Sequence, residues 1–513
     1  MKKLPIGIQE FSKLREGDFL YVDKTQHIYN LINSASYYFL SRPRRFGKSL
    51  LLNTIKEIFN GNKQLFEGLW IYDKIDWEVY PVIKISFSRM DYNSLGLEKA
   101  IENTLLKLAE KYKISLNEPT YSLKFEELIH KLAQDKKVVI LIDEYDKPII
   151  DYIDDIPQAE ENRKILKSFY SIIKDSDSFI KFFFITGVSK FSQVSIFSDL
   201  NNLDDITLDK NYATLTGYTQ EELDFYFPEY IEKVKEDYKG IIEDIPAMIK
   251  RWYNGYSWDG KNFVYNPFSI LNFFSKREFD DYWFRTGTPT FLMKMIKKNK
   301  YTIFDIKNRE ITKSVLDKYD ITSITLLPLL FQTGYLTIKK YDLRTRVITL
   351  DFPNAEVENA FIIHLLAELN DGKIDKASSL IIQLMESLES GNLDKFIELI
   401  NIIYKGISYT IVDEKEKYYH SIFYIIVKLL GFTIDVEVLT IDGRIDAVIS
   451  VEDTIYIIEF KANQDAATAL QQIEDKGYYK KYLSQGKQII LVGINFDTEE
   501  KKITEYVSKN IHD

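Results

Sequence analysis

Cysteine is absent from all 513 residues. That excludes disulfides and cysteine-ligated zinc, and it suits a reducing compartment, so a cytoplasmic setting is expected. No stretch reaches the ~18 apolar residues that a membrane span needs. Met1-Lys2-Lys3-Leu4-Pro5-Ile6-Gly7 offers two lysines with no apolar segment behind them, so no signal peptide and no membrane partner are expected. Positive charge is not in excess either: 67 Lys and Arg against 77 Asp and Glu leave a formal charge of -10. Contact with nucleic acid would therefore need a local basic patch. What is present is ordinary for a soluble globular chain, with 45% hydrophobic and 28% charged residues. The length implies about three or four domains. The 35 Tyr and 33 Phe read as a compositional habit shared with abundant Ile, Lys and Asn, not as stacking platforms.

One further absence marks the most informative stretch, Phe39-Leu40-Ser41-Arg42-Pro43-Arg44-Arg45-Phe46-Gly47-Lys48-Ser49-Leu50. An apolar strand, a polar loop and Gly-Lys-Ser opening a helix over Ser49–Phe59 form a phosphate-binding order. Backbone N–H groups and a helix N-terminus converge on an anion, Lys48 meets the terminal phosphates, and the Ser49 hydroxyl meets Mg2+. The pattern G-x-x-x-x-G-K-[ST] asks for glycine where Arg42 stands, and Pro43 has no N–H. On these residues alone, a plain strand-turn-helix is the alternative. Downstream, Pro81–Phe87 alternates as a strand, and helical patterns follow over Leu97–Lys113 and Phe125–Gln134. Lys137–Ile142 then reads as a buried central strand delivering Asp143 and Glu144 to its C-terminal edge. Asp143 is placed to hold the Mg2+ shell and Glu144 to orient the attacking water; the blander alternative is a solvated strand end. A helix over Glu160–Lys174 leads to the apolar strand Phe179–Ile185. It ends in Thr186, a sensor of the terminal phosphate or simply a polar strand end. Alternation from residue 37 to about 190 implies a parallel α/β sheet with its chemistry at one edge.

From Thr219 the pattern turns helical, with Thr219 and Glu222 spaced as a capping box. Asn-Gly and Asp-Gly pairs punctuate Arg251–Gly260, and Asn266-Pro267 marks a helix start. An apolar helical stretch over Ile324–Phe331, then Gly334–Lys340, a turn around Asp342, and Arg346–Leu350 give the helix-and-hairpin outline of a winged helix. Such a module reads DNA or serves as a lid. A helical connector over Asn354–Ile403, broken at Gly391, leads to the last segment.

There, a helix over Tyr418–Leu430 precedes Ile434–Val438, a turn at Asp442-Gly443, a strand through Asp446, a turn at Glu452-Asp453, and a strand through Glu459 and Lys461. Period two puts Glu459 and Lys461 on one face, and the hairpin brings Asp446 beside them. Two carboxylates and a lysine suit metal-assisted phosphodiester hydrolysis: Asp446 and Glu459 hold Mg2+, and Lys461 positions water and stabilises charge on phosphorus. By spacing of four and seven, Gln472, Lys476 and Tyr479 share a helical face toward the same cleft. A surface Glu–Lys pair is the alternative, weakened by the apolar run Ile455–Ile458. Residues 401–513 carry 13 Lys and Arg against 18 Asp and Glu, a balance of -5. A nuclease of that balance needs a local basic groove, the other module or a partner to hold its substrate.

With both constellations in view, the chain resembles a family of prokaryotic AAA-ATPase-like proteins carrying a C-terminal PD-(D/E)XK nuclease-superfamily domain. The residues that carry the resemblance are Tyr21–Thr25, Arg42–Ser49, Leu141–Asp146, Thr186–Ser192 with Leu200–Leu203, Trp252–Tyr256, and Gly443–Asp446 with Glu459–Lys461. The resemblance implies an α/β multidomain chain: an AAA-type P-loop core at 1–215, a helical lid with a winged-helix-like module at 216–360, a helical connector at 361–403, and a PD-(D/E)XK α/β/α domain at 404–513. It implies ATP and Mg2+ at Arg44, Arg45, Phe46, Gly47, Lys48, Ser49, Asp143 and Thr186, with Glu144 as the hydrolytic carboxylate. Arg42, Arg44 and Arg45 would offset the missing glycine by charge. It further implies a nuclease centre of Asp446, Glu459 and Lys461 assisted by Gln472 and by Glu416 or Glu437. An arginine finger remains open among Arg163, Arg251 and Arg285, as does assembly into a homo-oligomer. Nucleic acid, DNA foremost, is the expected partner, with ATP state controlling its cleavage. The competing expectation is a non-catalytic switch whose C-terminal domain only binds nucleic acid or protein.

Overall fold

The computed structural model describes the chain except residues 191–195, 198–199, 285–291, 294, 297–298, 300, 302, 317–324, 370–373, 406–415, 431–434, 442–443 and 512–513. The side chains at 304, 369, 374–378, 416–421, 427, 435–441, 444–446 and 478 also lie outside the description. Two compact units emerge: Met1–Thr286 with Asn308–Glu356, and Gly287–Lys307 with Val357–Asp513. Among the described residues no helix is long and apolar enough to cross a membrane.

The first unit is built on a parallel sheet of β1 (Tyr37–Ser41), β2 (Val82–Ser86), β3 (Val138–Asp143), β4 (Ile180–Gly187) and β5 (Asp204–Asp205), in the order β2-β3-β4-β1-β5. The apolar runs are nearly continuous because both faces are covered. One face places Phe39, Ile140, Ile142, Phe183 and Ile185 against Leu128 and Phe169. The other sets Tyr38, Leu40, Leu141, Phe182 and Phe184 against Leu52 and Ile55 of the helix Lys48–Phe59. All strands being parallel, the C-terminal ends of β1, β3 and β4 meet at one edge.

A helical layer follows: Gln220–Tyr226, Pro228–Asp237, Ile245–Tyr253 and Pro267–Lys276, sharing a core of Leu223, Phe227, Ile249, Tyr253, Phe273 and Phe274 with Leu20 and Val22. Thr219 and Glu222 form the expected capping box, and Asn266 caps the helix that starts at Pro267. The helix Leu326–Thr333 and the hairpin of β7 (Thr337–Asp342) and β8 (Val347–Asp351) realise the helix-and-hairpin outline. They are joined by β6 (Arg309–Thr312), absent from the sequence reading, in the order β6-β8-β7. The expected helix start at Ile324 lies outside the described residues.

The second unit holds the helices Ile374–Glu389 and Leu393–Lys405 and a mixed sheet of β9 (Asp435–Ile441), β10 (Arg444–Val451), β11 (Thr454–Ala462), β12 (Gln488–Asp497) and β13 (Lys502–Ile511) in the order β13-β12-β11-β10-β9. Only β11 and β12 run parallel; the other pairs are antiparallel. On one face of β11, Ile455 and Ile457 pack with Val448, Leu491 and Ile473 of the helix Ala466–Lys476. On the other, Phe460 stacks on Phe423 of the helix Glu416–Leu430.

Candidate functional site

The loop between β1 and the helix Lys48–Phe59 divides its arginines by task. Arg42 is buried: its guanidinium donates to the carbonyls of Ser41 (2.9 Å), Thr207 (2.7 Å) and Tyr212 (3.2 Å) and lies 3.9 Å from the Trp258 ring centroid. Burial lowers its pKa to about 9, with Asp205 and Asp259 opposing the shift. It replaces the missing glycine as a structural clamp, and the expectation that its charge serves phosphate is corrected. Arg44 and Arg45 are exposed and line the cleft at the sheet edge. Phe46 is buried edge-on against Tyr256 and Trp258, which anchors the loop, and it lines the apolar slot that adjoins the cleft instead of the cleft itself. The Trp283 ring N–H donates to the Arg44 carbonyl at 3.1 Å. Gly47 takes φ +83°, a conformation open to glycine at little cost, and hands the chain to the helix.

Lys48 is buried, with Nζ 2.9 Å from the carbonyl oxygens of both Arg42 and Pro43. Burial lowers its pKa, while Glu144, Asp143 and Asp146 work to keep it charged. Ser49 and Glu144 line the same cleft, which measures about 420 Å³. That volume falls within the range of small-molecule sites. Asp143 is buried at the end of β3 and accepts a 3.0 Å hydrogen bond from Thr186 Oγ1. Thr186 is fully buried, neither it nor Asp143 lines the cleft, and its hydroxyl orients the acid.

Two features escaped the sequence. Asp146, buried and with a pKa raised by burial, accepts from the Val188 and Ser189 amides and the Ser189 hydroxyl. It ties the exit of β4 to the β3 loop. The second is the role of Tyr21-Val22-Asp23-Lys24-Thr25. Lys24 Nζ pairs with Glu222 at 2.6 Å and donates to the Thr214 carbonyl, tying this segment to the capping box of the helical layer. Tyr21 and Val22 join Leu50, Leu51, Gly217 and Tyr218 around an apolar slot, which shares Gly47 and Leu50 with the cleft. No local pattern announces contacts between residues some 200 positions apart.

In the second unit, register sets Asp446 directly across from Glu459 on β10 and β11. It thereby falls on the face of Val448, two positions along; its side chain lies outside the described residues. Glu459 is fully buried, and Lys461 Nζ stands 2.8 Å from Glu459 Oε1. The ammonium approaches off the hydrogen-bond axis, leaving both Glu459 oxygens without a hydrogen bond from the described residues. Gln472 Nε2, on the helix that packs over this face, is likewise buried and without a hydrogen-bond partner. Among the described residues no group of three or more metal-ligating side chains occurs. The expected face shared by Gln472, Lys476 and Tyr479 is corrected: Gly477 in the left-handed conformation ends the helix at Lys476, and Tyr479 falls in the following 3-10 turn.

Of the arginine-finger candidates, Arg163 is engaged by Glu160 on its own helix, Arg251 lines a different cleft, and Arg285 lies outside the described residues. The side chains of Glu416 and Glu437 lie outside them as well.

A strand, a loop ending in Gly-Lys-Ser, a helix and acids on neighbouring strands define a P-loop module, and the mixed sheet with its Glu–Lys pair defines a nuclease-like one. A family described as predicted AAA-ATPase matches residues 5–197, and the PD-(D/E)XK nuclease superfamily matches residues 414–506. A relative from Azotobacter chroococcum mcd 1, named "Uncharacterized protein in vnfD 5'region", is 38% identical over 524 residues, spanning 99% of each chain. No solved structure matches. The chain belongs to the AAA-ATPase-like family with a C-terminal PD-(D/E)XK nuclease-superfamily domain.

Proposed function

We propose that this protein binds and hydrolyses ATP with Mg2+ in its first unit, and that its nucleotide state controls a Mg2+-dependent phosphodiesterase centre in its second, acting on nucleic acid and foremost on DNA. The observation that carries the nuclease reading is Glu459. Its carboxylate is fully buried with Lys461 as its ion-pair partner and no hydrogen bond from the described residues, so its oxygens keep lone pairs open to a divalent cation. Its hard oxygens suit Mg2+, with Asp446 opposite as the second ligand. When bound, Mg2+ supplies Lewis acidity at phosphorus and eases deprotonation of the attacking water. Lys461 orients that water and stabilises the charge that builds on the phosphoryl oxygens. The water oxygen bonds to phosphorus as the P–O bond to the departing oxygen breaks, and the departing oxygen takes a proton from solvent in place of the one the water gives up. Gln472 lends its unpartnered amide to the substrate.

In the ATPase centre, Lys48 trades its two loop carbonyls for the terminal phosphates, Ser49 and Asp143 hold Mg2+, and Glu144 orients water. Arg44 and Arg45 face the phosphates across the cleft, and the slot around Tyr21, Val22 and Tyr218 takes the base. Labelled DNA and RNA incubated with Mg2+ or Mn2+ test the nuclease reading. The parent chain cuts and both Glu459→Ala and Lys461→Ala do not; cutting that persists in both variants overturns it. Calorimetry with ATP tests the other centre, where Lys48→Ala abolishes binding and unchanged affinity overturns the loop assignment.

A further inference from the structure

The nuclease-superfamily segment carries net negative charge, yet the first unit holds a second polar cleft, of about 430 Å³, remote in lining from the phosphate loop. Lys250, Arg251, Lys261 and Lys339 line it against a single carboxylate, Glu221. The first two sit on the last turn of the helix Ile245–Tyr253, where their charge also suits the helix dipole. Lys261 is held by a rigid turn: buried Asp259 accepts from the Lys261 amide (2.9 Å), the Asn262 amide (2.8 Å) and the Asn262 side chain (2.6 Å). Lys339 Nζ donates to the Pro353 carbonyl at 2.7 Å.

The cleft reaches the β7–β8 hairpin at Lys339. Gly260 packs so closely on β7 that a Cβ there would lie 2.8 Å from the Tyr341 amide nitrogen. That hairpin adds Lys340, Arg344 and Arg346, all exposed, while its Asp342 is occupied by the Arg344 and Thr345 amides of its own turn. Leu343, 67% exposed, stands at the tip. The helix before the hairpin tells the opposite story: Leu326, Leu329, Leu330, Phe331 and Gln332 are buried, and Gln332 Oε1 accepts from the Lys190 amide at 3.0 Å. This helix is a structural part of the unit and has no face to offer a DNA groove.

From this juxtaposition we propose that the cleft and the hairpin form a single nucleic-acid backbone track, the cations meeting phosphates and the Leu343 tip meeting a groove. The inference rests on the nucleic-acid reading above and names the surface that holds the substrate. Cations fixed by turns and helix ends position a phosphate backbone without reading sequence. Binding to this track is therefore strongly salt-dependent and tolerant of sequence.

Fluorescence anisotropy on the full chain, in EDTA so that nothing is cut, measures affinity for a short labelled DNA duplex over a range of salt. Single-stranded DNA and RNA of the same sequence run beside it. Lys250→Ala/Arg251→Ala/Lys261→Ala lowers affinity at least about tenfold and flattens the log–log salt slope by about 2 to 3, since each lost phosphate contact removes about 0.9. Arg344→Ala/Arg346→Ala flattens it by about 2 on the same basis. Lys107→Ala/Lys164→Ala/Lys167→Ala, an equal loss of charge on other exposed helices, leaves affinity within about twofold. Unchanged ATP affinity shows that the variants fold. Loss in the cleft and hairpin variants on whichever strand type binds supports the track. Unchanged slopes in both, an equal loss in the control, or no binding by the parent chain overturn it. Because the readout is binding without metal, failure of the Glu459 assignment leaves this result standing, and failure here leaves cleavage standing.

Discussion

Arg42 and Arg44 stand two positions apart in one loop and do opposite work. Removing Arg42 strips donors from three carbonyls, those of Ser41, Thr207 and Tyr212. At about 1–3 kcal/mol for each buried acceptor left unpaired, Arg42→Ala costs roughly 3 kcal/mol or more of stability, read as a lowered melting temperature. Arg44→Ala, at an exposed site, changes stability by less than about 0.5 kcal/mol and instead weakens ATP. A second residue-scale prediction concerns Glu356. It is buried beside the Trp283 amide and the Ser269 hydroxyl, and burial pushes its pKa up to about 8 from 4.5. The folded state therefore holds a proton that the unfolded chain releases at lower pH. Its stabilising contribution is full below about pH 4.5 and declines as pH rises through about 8. In melting-temperature profiles, Glu356→Gln removes that decline, and an unchanged pH dependence contradicts it. Neither residue's role was legible in the sequence. An arginine in a phosphate loop reads as a phosphate ligand until its carbonyl partners, more than 160 positions away, are visible.

At the scale of elements the sequence was more informative, because periodicity is local and strong. The unbroken apolar run of β3 read as a central parallel strand, and it is one, with Asp143 at its end. The capping box at Thr219 read correctly because its spacing closes within one helical turn. The misreadings came where tertiary contacts decide. β5 and β6 are too short to alternate, and β12 and β13 lie past the residues whose chemistry drew attention. Tyr479 seemed helical because spacing alone does not stop a helix, whereas Gly477 does. The packing of the helix Ala466–Lys476 against β12 gives a direct test. A Cβ at Gly493 would overlap the Ala466 carbonyl oxygen and lie 2.6 Å from the Leu470 amide. Gly493→Ala destabilises the second unit by about 1–3 kcal/mol, measured by chemical denaturation, and a neutral result contradicts this close approach.

For the whole molecule, the sequence pointed to two candidate centres, since Gly47-Lys48-Ser49, Asp143-Glu144 and Glu459-Phe460-Lys461 each lie within a few adjacent positions. It did not display what fastens the first of them. Lys24–Glu222 and Asp146–Ser189 join segments by contacts that no short pattern encodes. The nuclease-superfamily segment has a charge balance of -5, so a nucleic-acid backbone finds no net attraction to it as a whole. If the basic cleft and hairpin of the first unit hold nucleic acid as proposed, affinity belongs to the whole chain and not to its last segment. If nucleotide state controls cleavage, the two centres are coupled thermodynamically, and loss of one must alter the response of the other. The central claim is tested most directly by the rate at which an end-labelled DNA duplex is cut in Mg2+, with and without ATP, by the parent chain, Lys48→Ala and Lys461→Ala. The account predicts that ATP changes the parent's rate, that Lys48→Ala cuts at one rate regardless of ATP, and that Lys461→Ala does not cut. Equal cutting by all three, indifferent to ATP, would contradict it.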